Sequence, residues 1–386
     1  MKFSCLKIVV YALLIFAATT VVSCVGSGDK EKSPDLVKID LDAKENVLKL
    51  SEIADTVTFV ALETNEQSRF GNVDKLMIED DKFIVVDKKL SSAIFVFDSK
   101  GHFLCKIGQK GNARNEYIEL TDATLGNGNV YVYDAKSKKI VCYSMDGTYK
   151  ETYPFEYTAT EIKHIGGDKF AFYCSYSRNM DLAENDKIPN VIIYDVKTKE
   201  LKKDMMFETS FAYEAIPIVP NNLNPYLYGS FSDEVYDFKD GEMTPVVKID
   251  YGSPYNDNRK EFLKRASLGT ATMSDIQKSQ ASGSFPMLIN FMNTGKAYFA
   301  FCVNGGKLFY NFQFHESGKT LCGVAAGKLP VADDMYGCIA LMPKAAGNGN
   351  LYLDVDPSAS SKLKLPIEAG PDANPLIATI KLRTDI

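Results

Sequence analysis

One element recurs along this chain of 386 residues and limits its fold more than any other feature. An apolar run ending in an aromatic residue leads into a short polar turn and then into a second strand-like run. The copies lie at 94–104, 140–149, 191–201, 234–243 and, more loosely, 310–321. From aromatic to aromatic the steps are 46 (97 to 143), 51 (143 to 194) and 42 (194 to 236), while the next, 76 (236 to 312), carries an insertion. Periods in the forties suit four short strands per unit, the size of a propeller blade. Asp146-Gly147 and Ser317-Gly318 mark hairpins, because glycine takes the positive φ that such turns need. Another apolar run precedes several of these turns, at 82–86, 129–133, 169–173 and 296–301, and a sixth unit is expected around 335–341 and 350–354.

Two strand-like pieces fall outside this count, 55–62 near the start and 375–382 at the end. A ring of blades that stays open exposes raw strand edges, so pairing the first and last strands in one shared blade is the expected closure. The predicted fold is therefore all-β, a six-bladed β-propeller over residues 45–386 closed by its N- and C-terminal strands; a β-sandwich with irregular hairpins is the alternative. The long step is read as a helical insertion at about 253–283. Residues 258–261 and 274–277 both fit a capping box, and Phe262, Leu263 and Ala266 give the first helix an apolar stripe.

The first residues have a different character. Lys2 and Lys7 precede an apolar stretch, 8–18, that is too short to span a bilayer, and small residues follow up to Ser23-Cys24. This pattern predicts a signal peptide at 1–23 and resembles a lipobox, which would make Cys24 the lipid attachment site. Stable anchoring needs more than one acyl chain, a condition met by a multiply acylated cysteine. Residues 24–44 are expected to form a flexible tether, since 25–34 are polar and without apolar periodicity.

The net charge is −6, and −8 once Lys2 and Lys7 are removed with the signal. Lysines and acids are interleaved without a basic stripe, which argues against a nucleic-acid partner. The chain has 21 Tyr, 23 Phe and no Trp, which disfavours a sugar-stacking platform. Six cysteines remain besides Cys5 and Cys24, mostly single residues inside apolar runs. They are read as small core residues rather than disulfide partners, with no Cys-x-x-Cys or spaced histidine for a metal.

The stretch from Phe97-Asp98-Ser99-Lys100-Gly101 to Gly108-Gln109-Lys110-Gly111, ending at Glu116-Tyr117, resembles the blade junction of NHL-type repeats. It is similar, more narrowly, to the six-bladed propeller lipoproteins of Bacteroidota, a TolB-like group. Val60-Ala61-Leu62-Glu63-Thr64, Phe231–Tyr236 with Pro245 and 249–252, and Asn374-Pro375-Leu376-Ile377 agree with that group. Asn112-Ala113-Arg114-Asn115 departs from the Gly-Pro-Gly-rich loop usual there. The resemblance implies a propeller in the cell envelope, lipid-anchored and outer-membrane, and it implies no reaction.

The three histidines, His102, His164 and His315, belong to no metal motif, and His102 and His315 are read as turn residues. No phosphate loop or G-x-S-x-G elbow occurs, and no cofactor is expected. Polar loops on a rigid ring are the natural place for binding groups. The candidates are Arg178, Asn179, Asn222, Asn224, Tyr226, Tyr228 and Asn290, from loops expected around a central channel. Two functions compete. One is a non-catalytic binding or scaffold module for a protein, peptide or glycan; the other is a lyase or hydrolase with a polar, Ca-assisted channel.

Overall fold

The computed structural model describes residues 33–43, 46–175, 179–208, 226–228, 232–239, 241–268, 270–325, 333–337, 339, 341–358, 365–367, 369–370 and 372–386. Cys24, Cys338, Arg178, Asn222 and Asn224 lie outside them. From Asp35 onward the chain forms six sheets arranged as the blades of a propeller. β1 (Asp35–Lys38), the one-turn helix α1 (Leu50–Ile53) and β2 (Ala54–Ala61) precede the first blade. Blade 1 is β3 (Lys75–Glu79), β4 (Lys82–Asp87), β5 (Ala93–Asp98) and β6 (Phe103–Ile107). Blade 2 is β7 (Asp122–Gly126), β8 (Asn129–Asp134), β9 (Lys139–Ser144) and β10 (Tyr149–Pro154). Blade 3 is β11 (Glu161–His164), β12 (Lys169–Tyr173), β13 (Lys187–Asp195) and β14 (Leu201–Glu208).

Blades 1 to 3 are each wound from the inside outward, and their two middle strands are buried on both faces against the neighbouring blades. That is why 82–87 and 139–144 read as continuous apolar runs, whereas the outermost β6 and β10 are partly exposed. The turns are fixed by local chemistry. Asp98 Oδ1 accepts from the N–H groups of Lys100 and His102, both at 2.9 Å, and Gly101 follows at φ +90°.

Blade 4 departs from the repeat. Leu227 bridges to β15 (Glu234–Lys239), which pairs with β16 (Glu242–Asp250), and the outer strand is β1, added in parallel with Val37 opposite Ile249. The hairpin at 234–243 is thus the second and third strand of its blade, whereas the other copies are the third and fourth. This accounts for the short step of 42 and the long one after it. It also shortens the expected tether. Residues 35–38 form a strand, and Val37, Ile39 and Leu41 are buried. The chain then crosses the rim of blade 5, where Val324 N donates to Asn46 O at 2.8 Å and Asn46 Nδ2 to Cys322 O at 2.7 Å.

Two helices occupy the long step, α2 (Tyr255–Ser267) and α3 (Met273–Ala281). Their starts differ from the expected boxes. The first helix begins at Tyr255, so Asn258 lies inside it. In the second the box is Thr272 with Asp275, whose side chains bond each other's backbone N–H groups at 3.3 and 2.8 Å. Fully buried Arg259 docks the insertion. Its Nε donates to Asp233 at 2.6 Å, a second nitrogen to Pro286 O, and its guanidinium lies over the rings of Tyr251 and Phe285.

Blade 5 is β17 (Met287–Asn293), β18 (Ala297–Asn304), β19 (Lys307–Phe314) and β20 (Thr320–Val324). Blade 6 is β21 (Ala345–Gly347), β22 (Asn350–Val355), β23 (Leu376–Leu382) and, outermost, β2. Val57 faces Ile380 and Val60 faces Ile377, the closure predicted from sequence. The described part of 335–341 is turn and irregular chain, not the strand expected there; the inner strand starts at Ala345. Among the described residues Cys105, Cys142, Cys174, Cys302 and Cys322 are free thiols.

Candidate functional site

The innermost strands surround a cavity of about 510 Å³ on the propeller axis. Every blade contributes to its wall, through β3, β7, β11, residue 228, β17 and the start of β21. The inner strands run side by side in one direction: Ile162 N donates to Asp122 Oδ2 (3.0 Å) and His164 N to Thr124 Oγ1 (3.2 Å). Lys75, Asp122 and Glu161 each open an inner strand, and Lys344 just precedes one. These charged residues therefore gather toward one end of the channel.

Asp122 is the hub. Its carboxylate accepts from Lys75 Nζ at 3.0 and 3.2 Å, Lys88 Nζ at 2.7 Å and Ile162 N, while Lys75 also donates to Ala123 O at 2.6 Å. Burial alone would raise the Asp122 carboxyl, but the two ammonium charges outweigh it and hold the group below the usual range. Burial lowers Lys75 despite the pairing. Lys88 also feels burial, yet Asp122 prevails and holds its ammonium above the ordinary lysine value. Between blades 3 and 4 Lys163 Nζ meets Asp237 at 3.1 Å and lies near the rings of Tyr226 (5.9 Å) and Phe238 (5.4 Å); desolvation lowers its pKa. On the blade 4–6 side Tyr228 Oη donates to Ile289 O at 3.3 Å and lies 3.5 Å from Asn290 Oδ1, and Asn290 Nδ2 donates to Pro343 O at 3.0 Å. Between these groups the wall is apolar, with Leu76, Met77, Leu125, Ile289 and Met292.

A family model described as a domain of unknown function, DUF4934, matches residues 36–381. The chain belongs to this DUF4934 family. A crystal structure from Bacteroides fragilis, of a protein described as exported, is similar at 12% identity and TM-score 0.63, covering 90% of this chain and 99% of that one. A member of the DUF4221 family from Bacteroides vulgatus is similar at 10% identity and TM-score 0.48, with 88% and 99% covered. At 12% identity the likeness to the Bacteroides fragilis protein is one of fold alone. No curated protein sequence matches the chain.

In this DUF4934 chain the sequence candidates divide. Tyr228 and Asn290 meet in the channel wall, and Tyr226 packs beside them against Lys163 and Phe291. Asn179 is elsewhere and its side chain is consumed. Its Oδ1 accepts from Thr158 N at 2.8 Å and its Nδ2 donates to Thr158 O at 3.0 Å. It thereby holds the segment entering blade 3, as buried Asp87 and Asp134 do by accepting from Gly71 N and Ile118 N in blades 1 and 2. Sequence reasoning missed Lys75, Lys88, Asp122 and Lys163, because a charge at a strand end ordinarily reads as solvated. The available signal was positional, a charged residue opening the first strand of successive repeats. His164 lines the channel but stacks on Tyr131 at 5.6 Å, with Nε2 2.9 Å from Gly167 O. His102 and His315 sit in turns with Asp98 and Asn293 as partners. Among the described residues no three His, Cys, Asp or Glu side chains are grouped to hold a metal ion.

Proposed function

We propose that this chain is a lipid-anchored binding protein of the bacterial cell envelope, which seats a ligand or a segment of a partner in its central channel without transforming it. One observation carries the choice of binding over catalysis. The most buried carboxylate of the channel, Asp122, spends both oxygens on two lysines and a backbone N–H. General acid–base work needs a group free to exchange its proton near neutral pH, and this one is held ionised. The cavity falls within the range of small-ligand sites, about 300–1,000 Å³, with apolar walls and a few directed polar groups.

The envelope address is supported by the signal and Cys24 in the sequence, and by the exported description of the Bacteroides fragilis protein. Attachment to the outer membrane through Cys24 belongs to the same proposal. Two measurements test it. Palmitate labelling and membrane fractionation are expected to lose the protein on Cys24→Ala; retention of label would refute the anchor. Molecules released by denaturing the purified protein are compared by mass spectrometry with those from Ala346→Phe, which narrows the channel. A species present in the first and missing in the second is expected, and identical sets would count against the channel.

A further inference from the structure

We infer that the channel binds an amphiphilic organic acid, a carboxylate head on an apolar body, with the head beside Lys88 and Lys344 and the body along Met77, Leu125 and Ile289. The inference rests on the channel-binding reading and adds the ligand class. It follows from counting unused hydrogen-bonding capacity rather than net charge, since the lining carries Lys75, Lys88, Lys163 and Lys344 against Asp74, Asp122 and Glu161, which nearly balance.

The acceptor side is largely spent. Asp122 is saturated as described. Asp74 accepts from Asn72 Nδ2 (2.7 Å), Lys88 N (2.8 Å) and Lys89 N (3.2 Å), with Lys89 Nζ at 3.7 Å. The donor side is not. Lys88 has three N–H bonds, of which Asp122 takes one, and a quarter of its side chain is exposed to the channel. Lys344 approaches Asp354 at 3.9 Å, beyond hydrogen-bond length. Asn290 commits one amide hydrogen to Pro343 O and keeps the other. An incoming head group therefore meets donors, and a carboxylate is the organic group that accepts several at once without donating. An ammonium head would find the best carboxylates already taken and two lysines repelling it. The apolar wall, with Met77, Leu125 and Ile289, suits a hydrocarbon or aromatic body. Glu161 is the opposing group, a carboxylate at the same end that disfavours the head it faces.

Calorimetry on the whole lipidated chain in nanodiscs, with empty nanodiscs as the blank, compares three probes of equal body: phenylbutyrate, phenylbutanol and phenylbutylamine. Phenylbutyrate is expected to bind about tenfold or more tighter than the amine, as charge-assisted hydrogen bonds would give. Lys88→Gln is expected to weaken phenylbutyrate about tenfold and leave phenylbutanol unchanged. Because Lys88→Gln also disturbs a buried ion pair, Glu161→Gln is the second variant, and it is expected to tighten phenylbutyrate several-fold. If the alcohol or amine binds as well as the acid, or if neither variant moves the acid's affinity, the ligand class is wrong while the channel reading survives. If none of the three binds to folded protein, both fall.

Discussion

Asp122 is the residue on which three blades converge. It belongs to blade 2, receives its cations from blade 1 and its backbone N–H from blade 3. Breaking a buried pair by removing one partner leaves an uncompensated charge, so Asp122→Asn is expected to cost about 3–5 kcal/mol in urea unfolding. The pH dependence has a definite sign. A carboxyl whose folded pKa is depressed contributes stability that is complete above the unfolded value, about 4, and lost as pH falls through the folded one. The stability gap between wild type and Asp122→Asn should therefore be largest near neutrality and shrink in acid. A gap constant from pH 7 to pH 3 would show that the charge is not what holds the blades. A second residue-scale device closes the ring. Asn374 Nδ2 donates to the carbonyls of Glu63 and Ser68, both at 2.9 Å, while Phe70 N donates to its Oδ1 at 3.0 Å. Beside it a Cβ on Gly101 would lie 2.1 Å from Ala61 O at φ +90°, so this turn admits only glycine. Gly101→Ala is expected to lower the melting temperature by several degrees, as a cost of about 1–3 kcal/mol implies.

At the scale of elements, what was legible was what is local. The hairpins at 94–104, 140–149 and 191–201 carry their turn chemistry within a few residues, through Asp98, Asp146 and Asp195 accepting from the following N–H groups. The strand β1 was not legible, because its partner lies more than two hundred residues away and parallel pairing leaves no turn in the sequence. The alternation of Val37, Ile39 and Leu41 is compatible with a strand but names no partner. The site divides in the same way. Tyr226, Tyr228 and Asn290 could be picked out as polar groups near blade entries, but the lysines acquire meaning only when the ring turns strand starts inward. The facing of β1 gives a sharp test. Val37 is fully buried and Leu36 is 44% exposed. Val37→Asp is expected to cost on the order of 3 kcal/mol, and Leu36→Asp to stay within about 0.5 kcal/mol. Equal effects from the two would mean that β1 does not hold this register.

For the whole molecule the decisive feature is that blade 6 is assembled from both ends of the propeller chain. β2 pairs only with β23, and β23 pairs on its other side with β22. No blade can therefore complete the ring before its first and last segments have met, and the closure entropy of a loop spanning almost the entire chain is spent in that one contact. Blades in an open row would melt piecemeal, each coupled only to its neighbours, as linear repeats do. A closed ring removes that freedom, so equilibrium unfolding is expected to be a single transition with tyrosine fluorescence and far-UV circular dichroism coincident. A chain ended at Pro375 keeps every blade except the third strand of the last. If the blades were independent it would lose about one sixth of its cooperative signal. If closure governs the fold it loses the transition entirely, because β2 has no partner and β22 presents a bare edge. Two separate transitions in the intact chain, or a cooperative transition retained after truncation, would show that the blades stand without the ring.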